Sequence, residues 1–148
     1  MQRRRLLALS TAALVLPLAA WGKSRPTYKF GILAEGRDGY WRLETETTRI
    51  PRRYKASGFR FGIEFTNWDR APLQWYEVVH LPSETKTATG NLSLAEPKVL
   101  RTKPQSSDQE RITDDFWFDE GDPLGRHRLE LVVNGTQVFA VDFDVVAA

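Results

Sequence analysis

The chain has 148 residues, of which 21 are Lys or Arg and 19 are Asp or Glu, and it contains no cysteine. The missing cysteine excludes disulfides, thiolate zinc sites, cysteine nucleophiles and a lipid anchor on an N-terminal cysteine. Three arginines lie within the first five residues, so residues 23–148 hold 18 basic and 19 acidic side chains and have no positive surplus for binding nucleic acid.

The first 22 residues have the order of a secretory signal peptide. Arg3–Arg5 precede fifteen mostly apolar residues, Leu6–Ala20, and small residues surround the expected cleavage position at Gly22. The apolar run is shorter than the roughly 20 residues that a membrane-spanning helix needs. We therefore predict a signal peptide over residues 1–22 and a single domain over residues 23–148. The mature protein is expected to be periplasmic or secreted, with no membrane span after cleavage.

The export route has two interpretations. A basic start before an apolar run is typical of the Sec route, which we favour. The order Arg3-Arg4-x-Leu6-Leu7 also loosely matches a twin-arginine signal, which exports folded proteins. Gln2 stands where that signal usually has Ser or Thr, so the twin-arginine route is kept as the alternative.

The mature chain alternates apolar and polar residues over short stretches separated by turn residues. The clearest case is Phe59–Thr66, whose four large apolar side chains share one face. A period of two with one polar face predicts half-buried antiparallel strands. Residues 83–97 predict a long exposed connection, and Asn134-Gly135 predicts a type I′ hairpin turn. The predicted strands cover residues 28–35, 41–47, 59–66, 73–81, 99–102, 110–118, 126–133 and 137–143.

This strand pattern, with no amphipathic helical stretch, predicts an all-β fold. We expect a two-sheet antiparallel β-sandwich of immunoglobulin-like type, with about seven strands and no disulfide. The Cys…Trp…Cys signature of true immunoglobulin domains is absent, so the expectation rests on the strand pattern. A mature domain of 126 residues can bury enough apolar surface to fold without disulfides or metals.

Several short motifs of turn glycines, prolines and core aromatics follow one another along nearly the whole mature chain. They are Tyr28-Lys-Phe30-Gly31-Ile32, Thr48-Arg-Ile50-Pro51, Gly58-Phe-Arg-Phe61-Gly62, His80-Leu-Pro82 with Gly90, Phe118-Asp119-Glu120, Gly125, and Leu129-Glu-Leu131 with Asn134-Gly135. In this order they resemble a bacterial family known as domain of unknown function 3859. The chain departs from that family's pattern at Asp122-Pro123, where an aromatic residue is more usual. The resemblance implies an exported β-sandwich and assigns no catalytic residue.

Two histidines are the only imidazoles available for a metal site. His80 ends a predicted strand beside Pro82, and His127 lies between two arginines, 47 residues further along the chain. A metal site would need both of them brought together with carboxylates. We interpret His80 as a turn residue and His127 as a surface residue.

Five carboxylates lie within residues 114–122. Asp119, Glu120 and Asp122 form a weak calcium candidate, since calcium prefers oxygen-rich loops, but turn and cap chemistry accounts for them without a metal. The EF-hand spacing is absent. A hydrolase that uses this cluster is the least favoured function, because nothing in the sequence places two carboxylates across a cleft.

The aromatic residues are the more informative set. Strand alternation sends Trp117 away from the two phenylalanines beside it, and it separates Trp75 from Tyr76 in the same way. Trp68 lies in a predicted loop. Exposed flat aromatics bind glycans or form hot spots in protein interfaces, although they can also fill and cap a core. The candidate ligand-binding residues are Trp68, Asp69, Arg70, Tyr76 and Trp117.

We therefore expect a non-catalytic binding or interaction module of the bacterial periplasm or cell surface, without a cofactor. Its partner is expected to be a protein or glycan of the cell envelope, contacted through the loop at Trp68–Arg70, the 83–97 connection and one polar sheet face. The alternative is a carbohydrate- or peptidoglycan-binding module that uses exposed Trp68, Trp117 or Tyr76. The sequence leaves the ligand and the oligomeric state open.

Overall fold

A computed structural model describes residues 26–85 and 92–148, and the predicted signal peptide lies outside the described residues. The described chain contains eleven β-strands and one 3-10 turn, Lys55–Ser57. Within this part of the chain, no helix has the length and apolar character to cross a membrane. The strands are β1 Tyr28–Glu35, β2 Trp41–Glu46, β3 Arg49–Arg52, β4 Arg60–Thr66, β5 Leu73–His80, β6 Leu92–Glu96, β7 Val99–Thr102, β8 Gln105–Ser107, β9 Arg111–Phe116, β10 Gly125–Val133 and β11 Thr136–Ala147.

The strands form two sheets that pack face to face. The smaller sheet has the order β2-β1-β4-β9, and the larger has the order β3-β11-β10-β5-β7-β6, with β8 beside β5. The predicted two-sheet sandwich is confirmed. Two details differ from the prediction: eleven strands replace about seven, and the pairing of β3 with β11 is parallel.

Three strands were not predicted, and all three are short. β6 occupies Leu92–Glu96 and pairs with β7, so the prediction of a connection without a strand over residues 83–97 is wrong for that stretch, although four of its five residues are exposed as predicted. β8 is polar and pairs with the start of β5. β3 contains Pro51, which an edge strand tolerates because one side of that strand needs no ladder hydrogen bonds. These three stretches are strands because they pair with neighbouring strands. Segments this short show no periodic pattern in the sequence.

The core lies between the sheets and is rich in aromatic rings. The Phe61 ring stacks on Phe118, with centroids 4.6 Å apart, and Phe30 lies 4.8 Å from Phe143. These rings stand at the inward positions of alternating strands, as the sequence pattern predicts. The side chains with essentially no exposed surface include Phe65, Phe143, Ile50, Ile63, Leu129 and Leu131.

The smaller sheet curls outward because two paired glycines leave room for it. Gly31 and Gly62 are cross-strand partners on its outer face. A Cβ atom at Gly31 would collide with the backbone of Thr45 in β2, and one at Gly62 with the backbone of Asp114 in β9. The edge strands β2 and β9 therefore approach each other over this pair.

The C-terminal hairpin matches its prediction. Asn134 and Gly135 have φ values of 49° and 81°, which a type I′ turn requires of both central residues. β11 extends to Ala147, beyond the predicted end at residue 143, because its last residues pair with β3.

Candidate functional site

A cavity of about 80 Å³ lies between the sheets, where edge strand β9 of the smaller sheet faces β7 of the larger. Its walls are mostly apolar core side chains, and polar groups reach it from Thr102, Asp114, Asp122 and His127. The half-buried residues that line its outer part are Leu81, Leu92, Trp117, Asp122 and Pro123.

A polar network crosses the interior beside this cavity. Asp114 Oδ2 accepts hydrogen bonds from Trp75 Nε1 at 3.0 Å and from Gln105 Nε2 at 2.6 Å. The Thr102 hydroxyl donates to Glu77 Oε2 at 2.7 Å and accepts from the Glu77 backbone N–H at 2.7 Å. Because Asp114 belongs to β9 and the other groups to β5, β7 and β8, the network joins the two sheets.

Glu77 is fully buried, and no N–H or O–H group donates to its Oε1 atom. The pKa of Glu77 is raised to about 9, chiefly by burial and then by the charge of the neighbouring Asp114 carboxylate and a hydrogen bond with it, while the hydrogen bond from Thr102 opposes the rise. Glu77 is therefore protonated at neutral pH. A proton on Glu77 that forms a hydrogen bond to Asp114 explains why no other group donates to Oε1.

The cavity is too small to be a ligand site. An engineered apolar cavity that binds benzene measures about 150 Å³, roughly twice this one. The polar groups beside it already have partners in Trp75, Gln105 and Thr102. We therefore regard the cavity and its carboxyl pair as part of the structural interior.

The two histidines lie on opposite faces of the larger sheet, so they cannot share a metal ion. His127 is 4% exposed and stacks on Phe143 at 5.1 Å, and the prediction that it is a surface residue is wrong. Burial lowers the pKa of His127, although a hydrogen bond between its Nδ1 and the Gly125 carbonyl partly opposes this. His80 Nε2 lies 3.4 Å from Glu130 Oε2 on the outer face, outside hydrogen-bond geometry.

A larger concavity, which we call the Trp41 groove, opens on the surface at the end of β1. Its volume is about 520 Å³, within the roughly 300–1,000 Å³ of small-molecule sites. The side chains of Trp41 and Phe59 are half-buried there, and the other groups are both apolar and charged. The groove is lined by Ile32, Leu33, Ala34 and Glu35 of β1, Trp41 and Glu44 of β2, and Pro51, Arg53, Ser57, Gly58 and Phe59.

Arg60 contacts the ring of Trp41 and the backbone of Phe59. Its guanidinium carbon lies 5.4 Å from the Trp41 ring centroid, and its Nη1 donates to the Phe59 carbonyl oxygen at 2.8 Å. The same guanidinium lies 5.5 Å from the Trp117 ring, and its Nε lies 3.3 Å from Asp115 Oδ2. Arg60 is therefore held by four groups and in turn limits the movement of the Trp41 ring.

The predicted site residues Trp117 and Tyr76 lie on opposite outer faces of the sandwich, so they do not form one platform. Each ring has a cation over it, and Trp117 has a second in Arg60. Lys55 Nζ lies 4.2 Å from the Trp117 centroid, and Arg101 Cζ lies 4.4 Å from that of Tyr76. Alternation predicted both orientations correctly, since Trp75 and the phenylalanines beside Trp117 are buried.

The predicted loop residues Trp68, Asp69 and Arg70 lie in the turn between β4 and β5, at the opposite end of β4 from Trp117. Trp68 is 42% exposed, as predicted for a loop residue. Arg70 has a φ of 49°, which a tight turn imposes on it. These three residues form a separate surface that the structure does not bring together with Trp117.

Carboxylates of the acidic loop after β9 accept hydrogen bonds from groups of the same loop. The Asp119 N–H donates to Asp122 Oδ2 at 2.6 Å, and Trp117 Nε1 donates to Asp119 Oδ2 at 3.2 Å. Burial raises the pKa of Asp122. Glu120 is exposed. No group of three or more metal-ligating side chains occurs in residues 26–85 and 92–148, so the calcium site at Asp119, Glu120 and Asp122 stays a prediction without geometric support.

Sequence comparison now places the chain in a family. A family model described as PM0630 beta sandwich domain matches residues 28–146. The chain belongs to this PM0630 family. The resemblance to domain of unknown function 3859 is not confirmed. The β-sandwich that this resemblance implied is confirmed.

One solved structure similar to this PM0630 sandwich is the crystal structure of an immunoglobulin-like protein from Pseudomonas aeruginosa. The two chains are 16% identical, the match covers 84% of this chain and 99% of the other, and the TM-score is 0.47. Among curated proteins, none matches the chain.

The sequence contained a usable signal for the interior network but none for the Trp41 groove. Glu77, Asp114 and His127 each occupy an inward position in a strand whose neighbouring inward residues are apolar. Alternation alone could therefore have identified them as buried polar groups. The groove is assembled from three separate segments, and no local pattern joins them.

Proposed function

We propose that the protein is a non-catalytic binding module of the bacterial periplasm or cell surface, and that its ligand occupies the Trp41 groove. The observation that supports this most directly is the groove's volume of about 520 Å³ with a mixed apolar and charged lining. Ligand sites combine apolar walls with a few placed polar groups in this way.

The arrangement of the carboxylates favours binding over catalysis. Asp114 accepts from Trp75 and Gln105 inside the sandwich, and Asp115 is paired with Arg60. Desolvation raises the pKa of Asp115 despite that arginine. Within the described residues, the 114–122 cluster is engaged in holding strand β9 and its loop, whereas a hydrolase needs two carboxylates on either side of a substrate cleft.

The proposed location rests on the sequence. The basic start and the apolar run of residues 1–22 support export, and a chain without cysteine is compatible with a periplasm that oxidises thiols. A test is the cellular fractionation of the full chain, in which recovery of an intact, unprocessed protein in the cytoplasm would refute export.

The binding function is tested by backbone amide NMR of the protein during titration with a library of small polar fragments. We expect ligand-dependent shifts at Leu33, Ala34 and Gly58, which line the groove, and none at the hairpin turn Asn134–Gly135. Shifts that cluster away from the groove, or a library without a single hit, would refute the proposal.

A further inference from the structure

Two aromatic residues, Trp41 and Phe59, line the Trp41 groove, and both are half-buried. Aromatic rings present flat apolar surface, and a groove that contains them suits a ligand with apolar faces.

The charged groups of the groove restrict the ligand's polar chemistry. Glu35 and Glu44 are exposed carboxylates, which when ionised only accept hydrogen bonds, and Arg53 is an exposed guanidinium, which only donates. A neutral ligand that satisfies both kinds of group must carry atoms that donate and atoms that accept hydrogen bonds. Hydroxyl groups do this, and a sugar ring combines vicinal hydroxyls with an apolar face.

The Trp41 ring and the Phe59 backbone are also held in place before any ligand arrives. The Arg60 side chain is only 14% exposed, it stacks against Trp41, and it donates to the Phe59 carbonyl. A fixed ring loses little conformational freedom when a ligand packs on it, so binding requires less ordering. Trp117 and Tyr76, which also have cations over their rings, are not among the residues that line the groove.

We propose that the Trp41 groove binds a neutral oligosaccharide, with sugar rings packed on Trp41 and Phe59 and hydroxyls bonded to Glu35, Glu44 and Arg53. The proposal rests on the binding function proposed above and adds the class of ligand. An extended peptide that pairs with β2, an edge strand that also lines the groove, is the competing ligand that the experiment below distinguishes.

The experiment uses the purified protein on a microarray of neutral oligosaccharides, followed by calorimetric titration with the saccharide that binds best and with a neutral tetrapeptide. Trp41→Ala removes the main ring, and Glu44→Gln changes an exposed groove residue without removing a core contact. Trp68→Ala is the matched control, because Trp68 is exposed at the other end of β4. Circular dichroism melts verify that each variant is folded.

We expect saccharide binding that Trp41→Ala weakens by about tenfold or more, whereas Trp68→Ala changes it by less than about twofold. Glu44→Gln should also weaken binding, which keeps the test valid if Trp41→Ala does not fold. If the tetrapeptide binds the unmodified protein and the groove variants lose that binding, the sugar assignment is overturned but the groove remains the binding site. Saccharide binding unchanged by either groove variant would overturn both proposals, and an array without any binder would overturn this one.

Discussion

The Arg60 guanidinium is stacked between two tryptophans of the smaller sheet. It lies 5.4 Å from the ring centroid of Trp41 in β2 and 5.5 Å from that of Trp117, which follows β9. A planar guanidinium can stack on a ring and still form an ion pair along its edge, here with Asp115. One side chain therefore connects the two edge strands of the curled sheet.

Arg60→Lys keeps the charge but removes the planar stack. A lysine ammonium cannot lie over both rings while facing Asp115, so we expect the free energy of unfolding to fall by about 1–2 kcal/mol. Urea denaturation followed by tryptophan fluorescence measures this change. Arg126→Lys is the control, because Arg126 forms ion pairs on an exposed face, 67% accessible, and should lose much less. Equal losses in the two variants would contradict the role assigned to the stack.

At the scale of the strands, the curl of the smaller sheet depends on Gly62. Its φ is not in the left-handed region, so the requirement for glycine comes from space alone. The Asp114 carbonyl oxygen occupies the position that a Cβ atom would need. A Cβ atom at its partner Gly31 would likewise meet the carbonyl oxygen of Thr45.

We predict that Gly62→Ala destabilises the protein by about 2–3 kcal/mol, because β9 must shift to admit one methyl group. Gly39→Ala is the matched control. Gly39 has a φ of 79° with nothing near the added Cβ, so alanine there should cost only about 1 kcal/mol of backbone strain. Thermal melts of both variants compare the two costs. A Gly62→Ala protein as stable as the Gly39→Ala protein would show that the sheet is not curled over this pair.

Most of the elements could be predicted because their strands alternate over six or more residues. β4 and β10 show this well, since each buries every second residue against the opposite sheet. β3, β6 and β8 contain three to five residues: β3 includes Pro51, β6 is largely exposed and β8 is polar. Their strand conformation depends on neighbours distant in sequence, which a local pattern does not record.

The candidate site was much less predictable than the fold. Strand alternation correctly oriented Trp117 and Tyr76, but it could not reveal that they lie on opposite faces with cations over them. The groove around Trp41 depends on how the 51–59 segment crosses the end of β1. Such a surface follows from the packing of whole elements and can be located only after the fold is known.

At the scale of the whole molecule, two buried titratable groups act on stability in opposite directions. The folded protein holds a proton on Glu77 up to a pKa of about 9, whereas an unfolded chain releases it near 4.5. The free energy of unfolding therefore falls as pH rises between these values. Burial lowers the pKa of His127 below its ordinary 6.5, so the unfolded chain binds a proton that the folded protein does not, and stability falls as pH drops below 6.5.

Where the two titrations overlap, their slopes oppose each other, so we predict a stability profile that flattens just below pH 6.5 and falls with rising pH above that value. Above it, Glu77 contributes a loss of at most about 1.4 kcal/mol per pH unit. Urea denaturation from pH 4 to pH 9 measures the profile. Glu77→Gln should reduce the loss of stability at alkaline pH, because an amide can donate to Asp114 without a titrating proton. Glu96→Gln, at an exposed position of β6, is the control and should keep the loss of stability with rising pH. An unchanged alkaline slope in Glu77→Gln would show that Glu77 is ionised inside the sandwich, which the absence of a donor at its Oε1 argues against.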